Sequence, residues 1–114
     1  MSNTLFEETI TIKNLRVEKP KEPWDFYIDR RSPVGNPYPL EKEKDRDRVI
    51  EDYIDYFNKM VSYNDVSFMG YLTTILKTYE VHGKVNLFCW CFPKRCHGDV
   101  IKRWIIRNGK YKCI

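Results

Sequence analysis

Three of the four cysteines and one of the two histidines fall within residues 88–99, and thiols and imidazole are the side chains suited to nucleophilic, acid–base or metal chemistry. Cys96 stands at the expected first turn of a helix, just after Lys94 and Arg95. Positive charge and unpaired backbone N–H groups there favour a thiolate, which makes Cys96 a candidate nucleophile. His97 beside it and Asp99 two residues on complete the candidate catalytic set. Each also has a plainer role: Cys96 as a small buried residue, His97 as an N-terminal cap, Asp99 as an acid that complements the helix dipole. Cys89, Cys91, Cys96 and His97 together could hold zinc, since residues two apart on a strand share a face. The spacing argues against it, because zinc knuckles separate paired ligands by two to four residues, whereas these pairs are Cys-x-Cys and Cys-His. Cys89 and Cys91 then read as core residues of a buried strand.

A second constellation occupies residues 30–36. Arg30 at a strand end can fork onto a phosphate or carboxylate. Ser32 can donate a hydrogen bond, and Gly35 and Asn36 can offer turn N–H groups or a side-chain amide. The same residues also make an ordinary proline-stiffened turn, since Pro33 and Pro37 flank them. Lys94 and Gly98 join Arg30, Ser32, Gly35 and Asn36 as candidate ligand-binding residues, the lysine by charge and the glycine by the helix start it opens.

Both constellations need a scaffold. Residues 9–17 alternate and are rich in β-branched side chains, and 24–29 form a second short extended run. Residues 45–63 carry an apolar stripe through Val49, Ile50, Tyr53, Ile54, Phe57, Met60 and Val61, which predicts a helix. Asn64 or Asp65 can cap a second helix striped by Phe68, Leu72, Ile75, Leu76 and Tyr79 and ending near Gly83. Residues 85–92 are almost wholly apolar, as in a strand covered on both faces. A last helix over 97–107 points Val100, Ile101, Trp104 and Ile105 inward. The expected class is α/β: a small mixed sheet of three to four strands with three helices in the order ββααβα, the fourth strand falling at 111–114. In such sheets ligands bind beyond the carboxyl ends of the strands, so both constellations meet if their strands run parallel.

Length and charge bound what this scaffold can do. The 114 residues suit a single domain, with 1–8 a candidate flexible segment. With 42% hydrophobic and 15% aromatic residues the chain can bury a core. A net charge of +4, from 20 basic and 16 acidic residues, permits an anionic ligand but falls short of a dedicated DNA-binding surface. Neither a leader pattern nor a membrane-length apolar run is visible, so the expected location is the cytoplasm, where thiols stay reduced.

Residues 26–38 and 89–101 resemble the domain of unknown function 4326 family of bacteria and bacteriophages. That pattern has a tyrosine-isoleucine-glycine-arginine strand end, a tryptophan-glycine-asparagine-proline turn, and a cysteine-x-cysteine, proline, cysteine-histidine-glycine-aspartate run. The resemblance covers about residues 14–106. Asp29 stands where the family has glycine and Val34 where it has tryptophan, so negative charge is added beside the first loop. The family name implies no activity.

The leading expectation is a small α/β domain that holds a nucleotide or nucleotide-derived ligand between the 30–36 loop and the 91–99 turn, with Cys96 or His97 doing any chemistry. The alternatives are a non-catalytic protein-interaction module, viral and acting in the host cytoplasm, and a zinc-stabilised module. A small anion or nucleotide and a protein are the partners considered, with no membrane and no specific DNA recognition. Any cofactor is open.

Overall fold

The first strand, β1 (Ile10–Asn14), buries Ile10 and Ile12 and stops where Asn14 turns on itself. The Asn14 carboxamide oxygen accepts the Arg16 N–H at 2.7 Å and its carbonyl accepts the N–H groups of Val17 and Glu18, a local turn that competes successfully with the ladder. This computed structural model describes residues 9–91 and 94–109. The expected fourth strand at 111–114 and the segment 1–8 lie outside them.

After β1 come β2 (Asp25–Tyr27), a 3-10 turn (Glu43–Asp45), α1 (Arg46–Ser62), α2 (Val66–His82), β3 (Val85–Cys89) and α3 (Gly98–Asn108). The fold is α/β and the order is ββααβα as expected. β3 lies between β1 and β2, and both pairs are parallel. The described sheet is therefore parallel where a mixed one was expected. The physical reason is the helical crossover between β2 and β3, which carries the chain back to the starting edge before β3 begins, as a parallel pairing requires. One consequence matters most: Asn14, Tyr27 and Cys89 all end at the same edge of the sheet.

Register places Ile12, Leu87 and Phe26 in one row and Ile10 beside Val85. These side chains face the helices, with Phe57, Phe68, Leu72, Ile75, Tyr79, Ile101 and Ile105 packed against them. Each helix delivers its expected stripe, save that Ile54 of α1 is half-exposed and outside the core. Asp65 caps α2 by accepting the Phe68 N–H at 3.0 Å, and Gly83 ends it in the left-handed region at φ 75°, where a Cβ would be strained. Lys13, Phe88 and Tyr27 form a row on the opposite face, and the Arg31 guanidinium stacks 4.0 Å above the Tyr27 ring. Among the described residues no helix is long and apolar enough to cross a membrane.

Candidate ligand-binding site

The shared carboxyl edge opens into a cavity of about 520 Å³. Asp29, Arg30, Arg31 and Asn36 approach from beyond β2, Trp90 and Cys91 from beyond β3, His97 and Cys96 from the entrance to α3, and Arg46, Val49 and Ile50 from the first turns of α1. The two loops singled out in the sequence do meet, because parallel strands put their carboxyl ends together. The volume lies within the range of small-molecule sites.

His97 sits on the floor and is 8% exposed. Its Nε2 bonds the Ile28 carbonyl, and its ring meets the edge of Tyr53 with centroids 5.0 Å apart. A carbonyl oxygen can only accept, so Nε2 carries the proton in the neutral ring. Burial pushes the imidazole below its ordinary 6.5, against the opposing pull of the Ile28 carbonyl and the Asp29 and Asp99 carboxylates. The unfolded chain therefore binds a proton that the folded chain refuses. Stability is complete above 6.5 and is lost as pH falls below it towards the depressed folded value, by up to about 1.4 kcal/mol per pH unit. Urea midpoints compared at pH 7.5 and 5.5 should show that loss, and His97→Gln should remove it. Asp25 and Glu43 are also held low, Asp25 by hydrogen bonds from the N–H groups of Lys21 and Glu22 and from Asn86 that outweigh its burial, and Glu43 to about 2 by the Arg46 guanidinium. Their losses begin only in the more acidic carboxylate range, so the windows separate.

Cys96 is buried, its Sγ 3.3 Å from Cys89 Sγ and 3.3 Å from the Gly98 N–H. The hydrogen bond with Cys89, then burial, pushes the Cys96 thiol well up. The cations expected to favour its thiolate point elsewhere. Arg95 pairs with Asp47 at 2.9 Å and Glu51 at 3.5 Å, and Lys94 with Glu43 at 3.4 Å. Glu43, Asp47 and Glu51 thus tie the 3-10 turn and α1 to the loop before α3. Arg46 joins it by bonding Glu43 and donating to the Arg95 carbonyl at 2.7 Å.

The start of α3 offers little to an anion. The Gly98 N–H donates to Cys96 Sγ, Asp99 N–H to the Cys96 carbonyl, and Val100 N–H to the His97 carbonyl. Gly98 serves packing instead: a Cβ there would come within 3.0 Å of Ile28 and 3.2 Å of Ile12. Asp99 lies half-buried in the first turn, and neither it nor Lys94, Ser32, Gly35 or Gly98 lines the cavity. Ser32 closes the loop by donating from Oγ to the Asp29 carbonyl at 3.0 Å. Asn36 does line the cavity, but its carboxamide oxygen accepts the Tyr38 N–H at 2.9 Å, which leaves its NH₂ as the group a ligand can meet. Arg30 donates from Nε to the Asn36 carbonyl at 3.1 Å and meets no carboxylate among the described residues. Its terminal nitrogens are the uncommitted positive charge of the site.

Asp29, the departure from the family pattern, is neutralised. Arg31 Nε lies 3.1 Å from both its oxygens, and Trp90 Nε1 donates to Oδ2 at 3.0 Å. Trp90, which falls in the 85–92 run that reads as a strand covered on both faces, is 47% exposed and lines the cavity. The reason is that β3 ends at Cys89 rather than 92, so the alternation stops before it reaches Trp90. Cys91 is likewise half-buried at the cavity wall instead of in the core, whereas Cys89 is core as expected. Among the described residues no group of three His, Cys, Asp or Glu side chains is placed to hold a metal ion. Cys89 and Cys96 bond each other, and His97 Nε2 is taken by Ile28.

Arg46, Tyr38 and Leu40 are lining residues that the sequence reading missed. Arg46 had a legible signal, for it extends the Val49–Ile50–Tyr53 stripe backwards by one helical step.

A family model, Domain of unknown function (DUF4326), matches residues 12–107. The chain belongs to the DUF4326 family. Neither the comparison with curated proteins nor that with solved structures gives a match. The DUF4326 match takes in the last three residues of β1, all of β2 and β3 and nearly all of α3, so it includes every residue that lines the cavity.

Proposed function

We propose that this DUF4326 domain binds a nucleotide or nucleotide-derived small anion in the cavity at the carboxyl edge of its sheet. One observation carries the reading. Arg30, with uncommitted donors, lines the same cavity as the exposed indole of Trp90, whose orientation is held by Asp29. A cation for phosphate and an aromatic face for a base are the two requirements of a nucleotide. The anchored indole is already ordered, so stacking on it costs little side-chain entropy.

Adenosine 5′-monophosphate (AMP) titrated by calorimetry tests this. Wild-type protein should bind it saturably with one site per chain. Arg30→Ala should weaken binding about tenfold to a hundredfold, the loss of a charge-assisted pair, and Trp90→Ala about tenfold. Heat-free titration of the wild type, confirmed by an unchanged melting temperature, would remove the proposal. Proton chemistry in this site falls to His97 rather than to Cys96, whose thiol is buried and held protonated.

A further inference from the structure

Resting on that reading, we infer that His97 presents Nδ1 to the cavity as its hydrogen-bond acceptor and thereby selects nucleotides whose base carries an amino donor. The argument begins with the ring's other nitrogen. Nε2 is committed to the Ile28 carbonyl, which fixes the tautomer and leaves a lone pair on Nδ1. The Tyr53 ring packs edge-on against the imidazole and prevents it from turning.

Among the described residues no buried side-chain nitrogen or oxygen lacks a hydrogen-bond partner. His97 makes its one side-chain hydrogen bond through Nε2 and has no further partner. Nδ1 therefore keeps contact with the space that His97 lines, and that space is the cavity. An open lone pair on a residue only 8% exposed, in a cavity that apolar Val49 and Ile50 also line, demands a donor from whatever fills the site. An occupant without one leaves the acceptor dry and unpaired.

The arrangement also has direction. Arg30, Arg31, Tyr38 and Trp90 are exposed or at the mouth, and His97 is on the floor. A ligand with its phosphate at Arg30 turns its other end inward. The exocyclic amino group of adenine or cytosine supplies the donor there.

Two measurements decide the matter. Diethyl pyrocarbonate acylates unprotonated imidazole nitrogens that it can reach, and the chain holds two histidines, His97 and the exposed His82. Wild-type protein should take up two carbethoxy groups at pH 7, His82→Asn one, and His97→Gln one. Modification of His82 alone in folded wild type would overturn the placement of Nδ1. Next, AMP is compared with purine riboside 5′-monophosphate, which lacks only the 6-amino group. The wild type should prefer AMP about tenfold. His97→Phe keeps a flat ring against Tyr53 but presents no acceptor, and the preference should fall to near unity. Equal affinities in the wild type, or a preference that survives in His97→Phe, would overturn the inference. If neither nucleotide binds although His97 is acylated, the nucleotide reading fails and the open acceptor stands.

Discussion

Gly35→Ala should destabilise the domain by about 3 kcal/mol or more and abolish AMP binding, the largest effect expected of so small a change. A Cβ at Gly35 would lie 2.4 Å from the Asp29 carbonyl oxygen and 2.6 Å from Arg30 Cα. Both are backbone atoms, so no rotamer change relieves the overlap. The loop from Asp29 to Asn36 must open instead. Opening it breaks the turn in which Ser32 N–H donates to the Asp29 carbonyl at 2.9 Å and Gly35 N–H to the Ser32 carbonyl at 3.1 Å. It also displaces Arg30 and the Asp29 anchor of Trp90. Urea denaturation reads the stability and calorimetry the binding. An alanine variant with wild-type midpoint and affinity would show that the loop does not pass over itself this closely.

Tyr53 carries the second large effect. It is fully buried on α1, its hydroxyl donates to the Val34 carbonyl at 2.6 Å, and its ring supports His97. One side chain thus joins the helix, the proline-rich loop and the cavity floor. Tyr53→Ala should cost about 3–5 kcal/mol, since a large aromatic is removed from a packed core. That is a large part of the roughly 5–15 kcal/mol by which a domain is stable. Tyr53→Phe keeps the ring and loses the hydroxyl, leaving the Val34 carbonyl without its donor, at about 1–3 kcal/mol. Paired denaturation curves separate packing from hydrogen bonding. If both variants lose the same stability, the hydroxyl accounts for the whole effect and the packing argument fails.

The helices were legible because their signals are local. A seventeen-residue stripe on α1, the Asp65 cap and the Gly83 stop of α2 each depend on neighbours a few residues away. The central strand was legible from its composition, but its end was not. Whether Trp90 and Cys91 continue β3 depends on whether a partner strand extends that far. β1 stops opposite Cys89 because Asn14 forms its own turn. The partners of Lys94 and Arg95 were hidden for a related reason. Glu43, Asp47 and Glu51 lie more than forty residues away in sequence, and no spacing rule reaches across a crossover.

What the sequence by itself determined is which residue types are present to do chemistry and which local elements carry them: the 30–36 loop, the Cys–His run and the three amphipathic helices. Only the tertiary structure decided their roles. The parallel crossover brought two distant loops to one edge, gave the nearby acids to Lys94 and Arg95, and paired Cys96 with Cys89. It also turned Trp90 outward and left His97 with one nitrogen on a carbonyl and the other on a cavity. Reactivity in a folded chain depends on burial and on the partners a group meets. Those partners are fixed by long-range packing, which local sequence patterns do not record.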